Sequence, residues 1–292
     1  MHAYLLAIGF GQIKKKSQLQ QLLSSVQNFP DQVQKIRLDE ESSLVVYTKE
    51  VAPDIGLMIC GEEDMQGSFQ MEYYEPYINS NICSSKAECS IEKESARESY
   101  DGVCDDCRLG LNLIFSVNNF MEYRKYQALQ GFFPTVTDVC MSALCTQGKI
   151  LLPILKKPEA ARLAKKKEQG RQQLIEAARE GNQEAIDSLT IDDMNLSNKV
   201  GRLLNSCDIY TMVESSIMPC GMESDRYTII GEILNVVPLV NEISKEPLCQ
   251  MDVKCNNICI RVLINRSGLM GEPMTGRRFK GDIWLQGVVN FV

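Results

Sequence analysis

One histidine, His2, is all that the 292 residues contain. Ser-His-Asp and Cys-His nucleophiles and His-ligated metals are therefore excluded unless the segment around His2 folds into a cleft. Tryptophan is equally scarce, with Trp284 alone. Long apolar runs are missing: the longest uncharged, apolar-rich stretch, residues 109–121, holds three asparagines and is too short and too polar to span a bilayer. A basic segment ahead of the apolar residues 3–8 is missing too, because Lys14, Lys15 and Lys16 come after them, the wrong order for a secretory signal. These absences point to a cytoplasmic protein with no membrane segment. Phosphate loops of the Walker type do not occur, and Gly9-Phe10-Gly11 lacks the third glycine of a dinucleotide fingerprint, Lys14 standing in its place. Ser90-Ile91-Glu92-Lys93 fits Ser-x-x-Lys, but without a Lys-Thr-Gly or Ser-Asp-Asn companion. No cofactor is expected.

What the chain does have is an acidic N-terminal half. Residues 1–150 carry 13 Lys and Arg against 20 Asp and Glu, whereas 151–197 balance at 8 and 8 and 198–292 at 10 and 10. That face repels phosphate backbones, so nucleic acid is disfavoured as a partner. The 12 cysteines of a cytosolic chain are expected to be reduced, many of them filling small apolar positions. Cys104-Asp105-Asp106-Cys107 is the one CxxC, and with Cys83 and Cys89 it could form a four-thiolate zinc site. The five-residue gap between Cys83 and Cys89 is wider than such sites use, so a structural metal ranks well below plain buried thiols.

Periodicity divides the chain into three parts and predicts an α+β protein. Residues 1–155 read as an acidic, antiparallel α+β domain. It opens with a strand-like run, 3–8, and a helix from about Ser17 with Leu19, Leu22, Leu23 and Val26 on one face. Extended segments 34–38, 44–51, 55–60 and 66–74 follow, separated by acidic or Pro-containing turns, then an exposed edge in 86–100. A strand over 109–117 and a hairpin of 136–144 with 149–155, turning at Thr146-Gln147-Gly148, complete the part. Residues 156–205 are rich in helix formers and read as a helical connector, with Gly181 as a stop and Asn182 as the cap of a second helix carrying Ala185, Ile186 and Leu189 inward. A third short helix is expected from Thr190. Residues 206–292 read as a β-rich domain. Asn256-Asn257 between two alternating runs signals a two-residue hairpin, since Asn tolerates the positive φ of a type I′ turn. Its strands resemble those of small OB- or SH3-like barrels.

The best candidate binding patch is Arg277, Arg278, Phe279 and Lys280 with Trp284, where cations could grip an anion while a ring stacks on a base or sugar. The plainer reading, a charged turn leading to a core tryptophan, outweighs it. Adjacent acids (Glu62, Glu63 and Asp64; Asp105 and Asp106; Asp192 and Asp193) could serve acid–base chemistry, but on turns they are usually solvated.

Four stretches together resemble a known family: His2-Ala3-Tyr4-Leu5-Leu6-Ala7-Ile8-Gly9-Phe10, Gly102-Val103-Cys104-Asp105-Asp106, Met218-Pro219-Cys220-Gly221-Met222-Glu223, and Gly271-Glu272-Pro273 through Trp284-Leu285-Gln286-Gly287. The family is a set of bacterial proteins classified only as a domain of unknown function. The resemblance spans essentially the whole chain and implies a bacterial protein, but it transfers no catalytic residue. The sequence thus favours a binding or regulatory protein with an unknown protein or small-molecule partner. The competing expectation is an enzyme using carboxylates or a cysteine at the interface between the two domains.

Overall fold

The computed structural model describes residues 2–95, 97–106, 108–131, 134–154, 170, 173–175, 177–190 and 213–292. The fold is mostly β, and its sheets are antiparallel and mixed. Residues 3–8 are not a strand: Ala3–Leu5 form a 3-10 turn followed by further turns. Leu5, Ala7, Ile8 and Phe10 are buried, Tyr4 and Leu6 partly so, and Ala3 is exposed. Its amides bond locally, Ala7 N–H to Tyr4 O and Phe10 N–H to Leu5 O. Helix α1, Lys16–Asn28, buries Leu19, Leu22, Leu23 and Val26, the predicted face. Strands β1 (Gln32–Arg37), β2 (Ser42–Ala52), β3 (Ile55–Asp64) and β4 (Phe69–Ile78) then form the predicted antiparallel meander, hydrogen-bonded in that order.

The second sheet collects β5 (Cys89–Lys93), β6 (Tyr100–Cys104), β7 (Leu113–Val117), β8 (Val136–Leu151), β9 (Ser216–Pro219), β10 (Arg226–Val240), β11 (Pro247–Cys255), β12 (Ile258–Asn265), β13 (Leu269–Met270) and β14 (Arg278–Phe291). Helix α2, Phe120–Gln130, links β7 to β8. Hydrogen-bonded order is β13-β8-β12-β11-β10-β14-β7-β6-β5, with β9 on β10. Strand β8 also pairs with β14 along nearly its whole length, so β8, β12, β11, β10 and β14 form a continuous circuit of pairings. Strands drawn from 1–155 and from 206–292 therefore share one sheet. β5 is its edge, as 86–100 predicted.

Two local expectations change. The hairpin at Thr146-Gln147-Gly148 is instead one straight-through strand, β8. Gly148 is there because a Cβ would collide with the Phe279 ring, not because the chain turns. The strand predicted over 109–117 shortens to β7, since 108–111 are turn and bend residues. Gly231 lies inside β10, where a Cβ would meet Cys255 Sγ and the Lys254 carbonyl, so glycine permits the close β10–β11 approach. The Asn256-Asn257 hairpin stands as predicted: Cys255 pairs with Ile258, and the two asparagines have φ of 42° and 70°. Within the connector, Asn182 Oδ1 accepts from Ala185 N–H, and Ala185 is buried while Ile186 is exposed. The helix expected from Thr190 lies outside the described residues except for Thr190 itself. No helix among the described residues is long and apolar enough to cross a membrane.

Two apolar cores result. One holds Met141, Val253, Ile260, Phe279, Ile283 and Leu285 on one face of β8 to β14. The other lies where the N-terminal turns, α1 and the meander meet the opposite face, with Ile8, Leu22, Ile55, Leu57, Leu144, Leu263 and Trp284.

Candidate functional site

Alternation along β14 decides the fate of the predicted basic–aromatic patch. Phe279 is 0% exposed in the first core and Trp284 3% exposed in the second, on opposite faces of one strand. Arg278 is 6% exposed; its Nε donates to Leu152 O at 3.0 Å and Nη1 to Val213 O at 2.5 Å. Arg277 Nη1 donates to Glu272 O, and half-buried Lys280 sits in the ladder opposite Ile230 and Lys149. The five residues are thus not brought together as one surface, and neither ring is exposed to stack on a ligand.

Among the proposed thiolates, Cys89 and Cys104 face each other across β5 and β6, Cys83 is exposed, and Cys107 lies outside the described residues. No group of three or more His, Cys, Asp or Glu that could hold a metal occurs among the described residues. Glu63 and Asp64 line a groove of about 530 Å³ with Lys35, Arg37 and Asp39. Lys35 Nζ pairs with Glu63 there, while Asp39 and Asp64 accept from the amides of their own turns, which marks a solvated turn face. Asp105 pairs with Arg179, while buried Asp106 is held by Arg108 and Ser85 Oγ. Asp192 and Asp193 are outside the described residues.

The single histidine and the single tryptophan, at opposite ends of the sequence, meet. The His2 ring lies 4.8 Å from Trp284, and Tyr4 lies 5.6 Å from the same indole. The N-terminal turn puts His2 and Tyr4 there, held by the His2 backbone N–H donating to Tyr74 OH of β4 at 2.9 Å. Arg226, the first residue of β10, is in register with Trp284 of β14. Its guanidinium therefore covers Tyr4 at 4.4 Å and Trp284 at 5.3 Å, an arrangement that a planar cation gains from directly. Asp225 accepts from Trp284 Nε1 and pairs with Arg226 Nε at 3.5 Å. Beside them, Glu75 of β4, 2% exposed, pairs with Arg97 of the β5–β6 connection at 2.8 Å. Arg97 also donates to Glu94 and lies over Tyr73.

Burial dominates the electrostatics of this corner. It pushes Glu75 up to about 7 against the pull of Arg97, and Asp101 of β6 up to about 6 with help from Asp225 and Glu94. Asp225 is raised for the same first reason. Burial lowers His2 to about 4, assisted by the positive charges of Arg226 and Arg97. The imidazole is therefore neutral at physiological pH, and its Nδ1 is buried with no hydrogen-bond partner; Arg226 Nε likewise has only its ion pair. Such a corner can accept polar atoms of a ligand and can hold or release protons near neutrality.

Of these residues only Trp284 was singled out as a binding candidate in the sequence. Glu75 carried one legible signal, a lone acid in the otherwise apolar Tyr73-Tyr74-Glu75-Pro76-Tyr77-Ile78 run that ends β4. His2, Arg97, Asp101 and Arg226 converge only through tertiary pairing and carried none. Neither the curated proteins nor the solved structures compared with the chain give a match. A family profile does match, over residues 5–287, a span that includes Tyr74, Glu75, Arg97, Asp101, Asp225, Arg226 and Trp284 of the corner. The chain belongs to the family described as a domain of unknown function from E. rectale, DUF3881.

Proposed function

We propose that this protein is a cytoplasmic binding or regulatory protein whose small-molecule site is the corner formed by His2, Tyr4, Arg226 and Trp284. The observation that carries the reading is a guanidinium laid across two rings while buried donor positions at His2 and Arg226 lack hydrogen bonds. Buried polar atoms without partners cost about 1–3 kcal/mol each, a cost that a bound ligand removes. The circuit of five paired strands supports reading the surrounding scaffold as a small barrel, which fixes Arg226 and Trp284 on adjacent strands.

A second reading, an enzyme, is favoured by one observation: Glu75 and Asp101, both acted on by Asp225, Glu94 and Arg97, have carboxyls raised to about 7 and about 6, the range of a general acid or base. Cysteine chemistry is less supported. Burial pushes Cys60 and Cys145 up to about 12, which keeps those thiols protonated and inert.

Native mass spectrometry of the full chain incubated with a bacterial metabolite extract tests the proposal. A small-molecule adduct is expected on the native chain, absent from Arg226→Ala, and the fraction carrying it should change Trp284 emission. No adduct, or equal adducts on both chains, would contradict it. An adduct whose mass differs from every free component of the extract would favour the enzyme.

A further inference from the structure

We propose that the ligand of this corner is a small oxyanion, a carboxylate or phosphate group gripped by Arg226 and by the Nδ1 side of His2. The inference rests on the binding function proposed above and adds the ligand's charge. Its basis is which charges surround the imidazole. The imidazole packs against Trp284 of β14 and Tyr4 of its own segment, with Arg226 of β10 and Arg97 of the β5–β6 connection acting on its charge; its backbone N–H, not the ring, reaches the Tyr74 hydroxyl of β4. The charges that hold the His2 imidazole down after burial are cationic: Arg226, Arg97 and the N-terminal amino group. Asp225, the acid next to Arg226, is held by Trp284 Nε1, and Glu75 is held by Arg97. Arg226 Nε has only the long 3.5 Å ion pair to Asp225, and neither it nor the buried His2 Nδ1 has a hydrogen-bond partner.

The Arg226 Nε–H, which makes no hydrogen bond, can donate to an oxygen of a carboxylate or phosphate in a charge-assisted hydrogen bond. An anion there also changes the histidine. Its negative charge favours the imidazolium, so His2 rises from about 4 towards its ordinary 6.5, and binding takes up a proton between those values. Affinity therefore increases as pH falls through that window.

The chain supplies its own reporters, because Trp284 and His2 are unique in the sequence and in contact. The full chain is titrated at constant ionic strength with inorganic phosphate, acetate, acetamide and methylammonium, reading Trp284 emission and the His2 Hε1 resonance. The expected result is a saturable change with phosphate or acetate, whichever gives it naming the source of the anion, and none with the uncharged or cationic probe. Arg226→Gln should weaken that binding about tenfold or more, the loss of a charge-assisted hydrogen bond. Saturation by methylammonium or acetamide without the anions would overturn the anionic ligand and leave the binding function standing. Silence with both anions overturns the inference as well, and the native-mass adduct then decides the binding function separately. His2→Ala provides a check that does not depend on Arg226: below about pH 6.5, where phosphate stays largely a monoanion, the rise of phosphate affinity with falling pH should be smaller than in the native chain while part of the affinity remains.

Discussion

Replacing Phe279 with alanine should destabilise the protein by about 3–5 kcal/mol, the range for emptying a fully buried aromatic site. Phe279 is 0% exposed and its ring lies over both Gly148 and Gly281, two glycines on adjoining strands whose missing side chains leave the space that the ring fills. Removal would open a cavity at the β8–β14 seam, the longest pairing of the fold, and neither strand can close it without shifting the register that ties the circuit together. Urea unfolding of the two chains measures the loss. A change below about 1 kcal/mol, together with a loss of polyanion binding, would instead restore Phe279 to a ligand-stacking role. The same logic applies to Arg278, whose guanidinium is spent on the carbonyls of Leu152 and Val213 and so ties chain segments together.

Glu75→Gln should alter how stability depends on pH, with a sign that burial dictates. The Glu75 carboxyl titrates near 4.5 when unperturbed and at about 7 in the fold. Between those values the folded chain holds more protons than the unfolded one. Its contribution to stability is therefore complete below about 4.5 and is lost as pH rises through about 7. The difference amounts to about 3 kcal/mol, and Glu75 is too buried for solvent to screen much of it. Glutamine stays neutral throughout, so the stability of Glu75→Gln relative to the native chain should climb by on the order of 3 kcal/mol from about pH 4.5 to about pH 8. Asp101 acts in the same direction and His2 in the opposite one, but both remain in the variant and cancel from the comparison. Urea unfolding across that pH range provides the measurement, and two parallel stability curves would show that Glu75 titrates normally.

Periodicity revealed what is local. The α1 face, the four-stranded meander and the Asn256-Asn257 turn were all readable, because each depends on residues within a few positions of one another. At Thr146-Gln147-Gly148 the sequence suggests a turn where the glycine serves close approach instead. Gly148 makes room for an aromatic ring 131 positions away and Gly231 for a neighbouring strand, and nothing adjacent in sequence announces either. The run at 3–8 is strand-like only in its apolar composition; its backbone turns, and Leu5, Ala7 and Ile8 enter the second core.

The site was harder to read for the same physical reason. Its cations and acids come from an N-terminal turn, β4, a connection, β6 and the start of β10, and only the pairing of β10 with β14 sets Arg226 beside Trp284. His2 could be dismissed in the sequence on the condition that its segment stayed out of a cleft. Its ring instead packs on the indole of Trp284. The RRFKGDIWLQG segment keeps one residue, Trp284, in the candidate site, while its phenylalanine and buried arginine are structural.

A proton NMR titration of the native chain follows the His2 Hε1 resonance without assignment, since no other histidine contributes. Packing against Trp284 beneath Arg226 requires a pKa of about 4 in the absence of ligand. A value near 6.5 would place the imidazole in solvent and contradict the buried corner on which the proposed function stands.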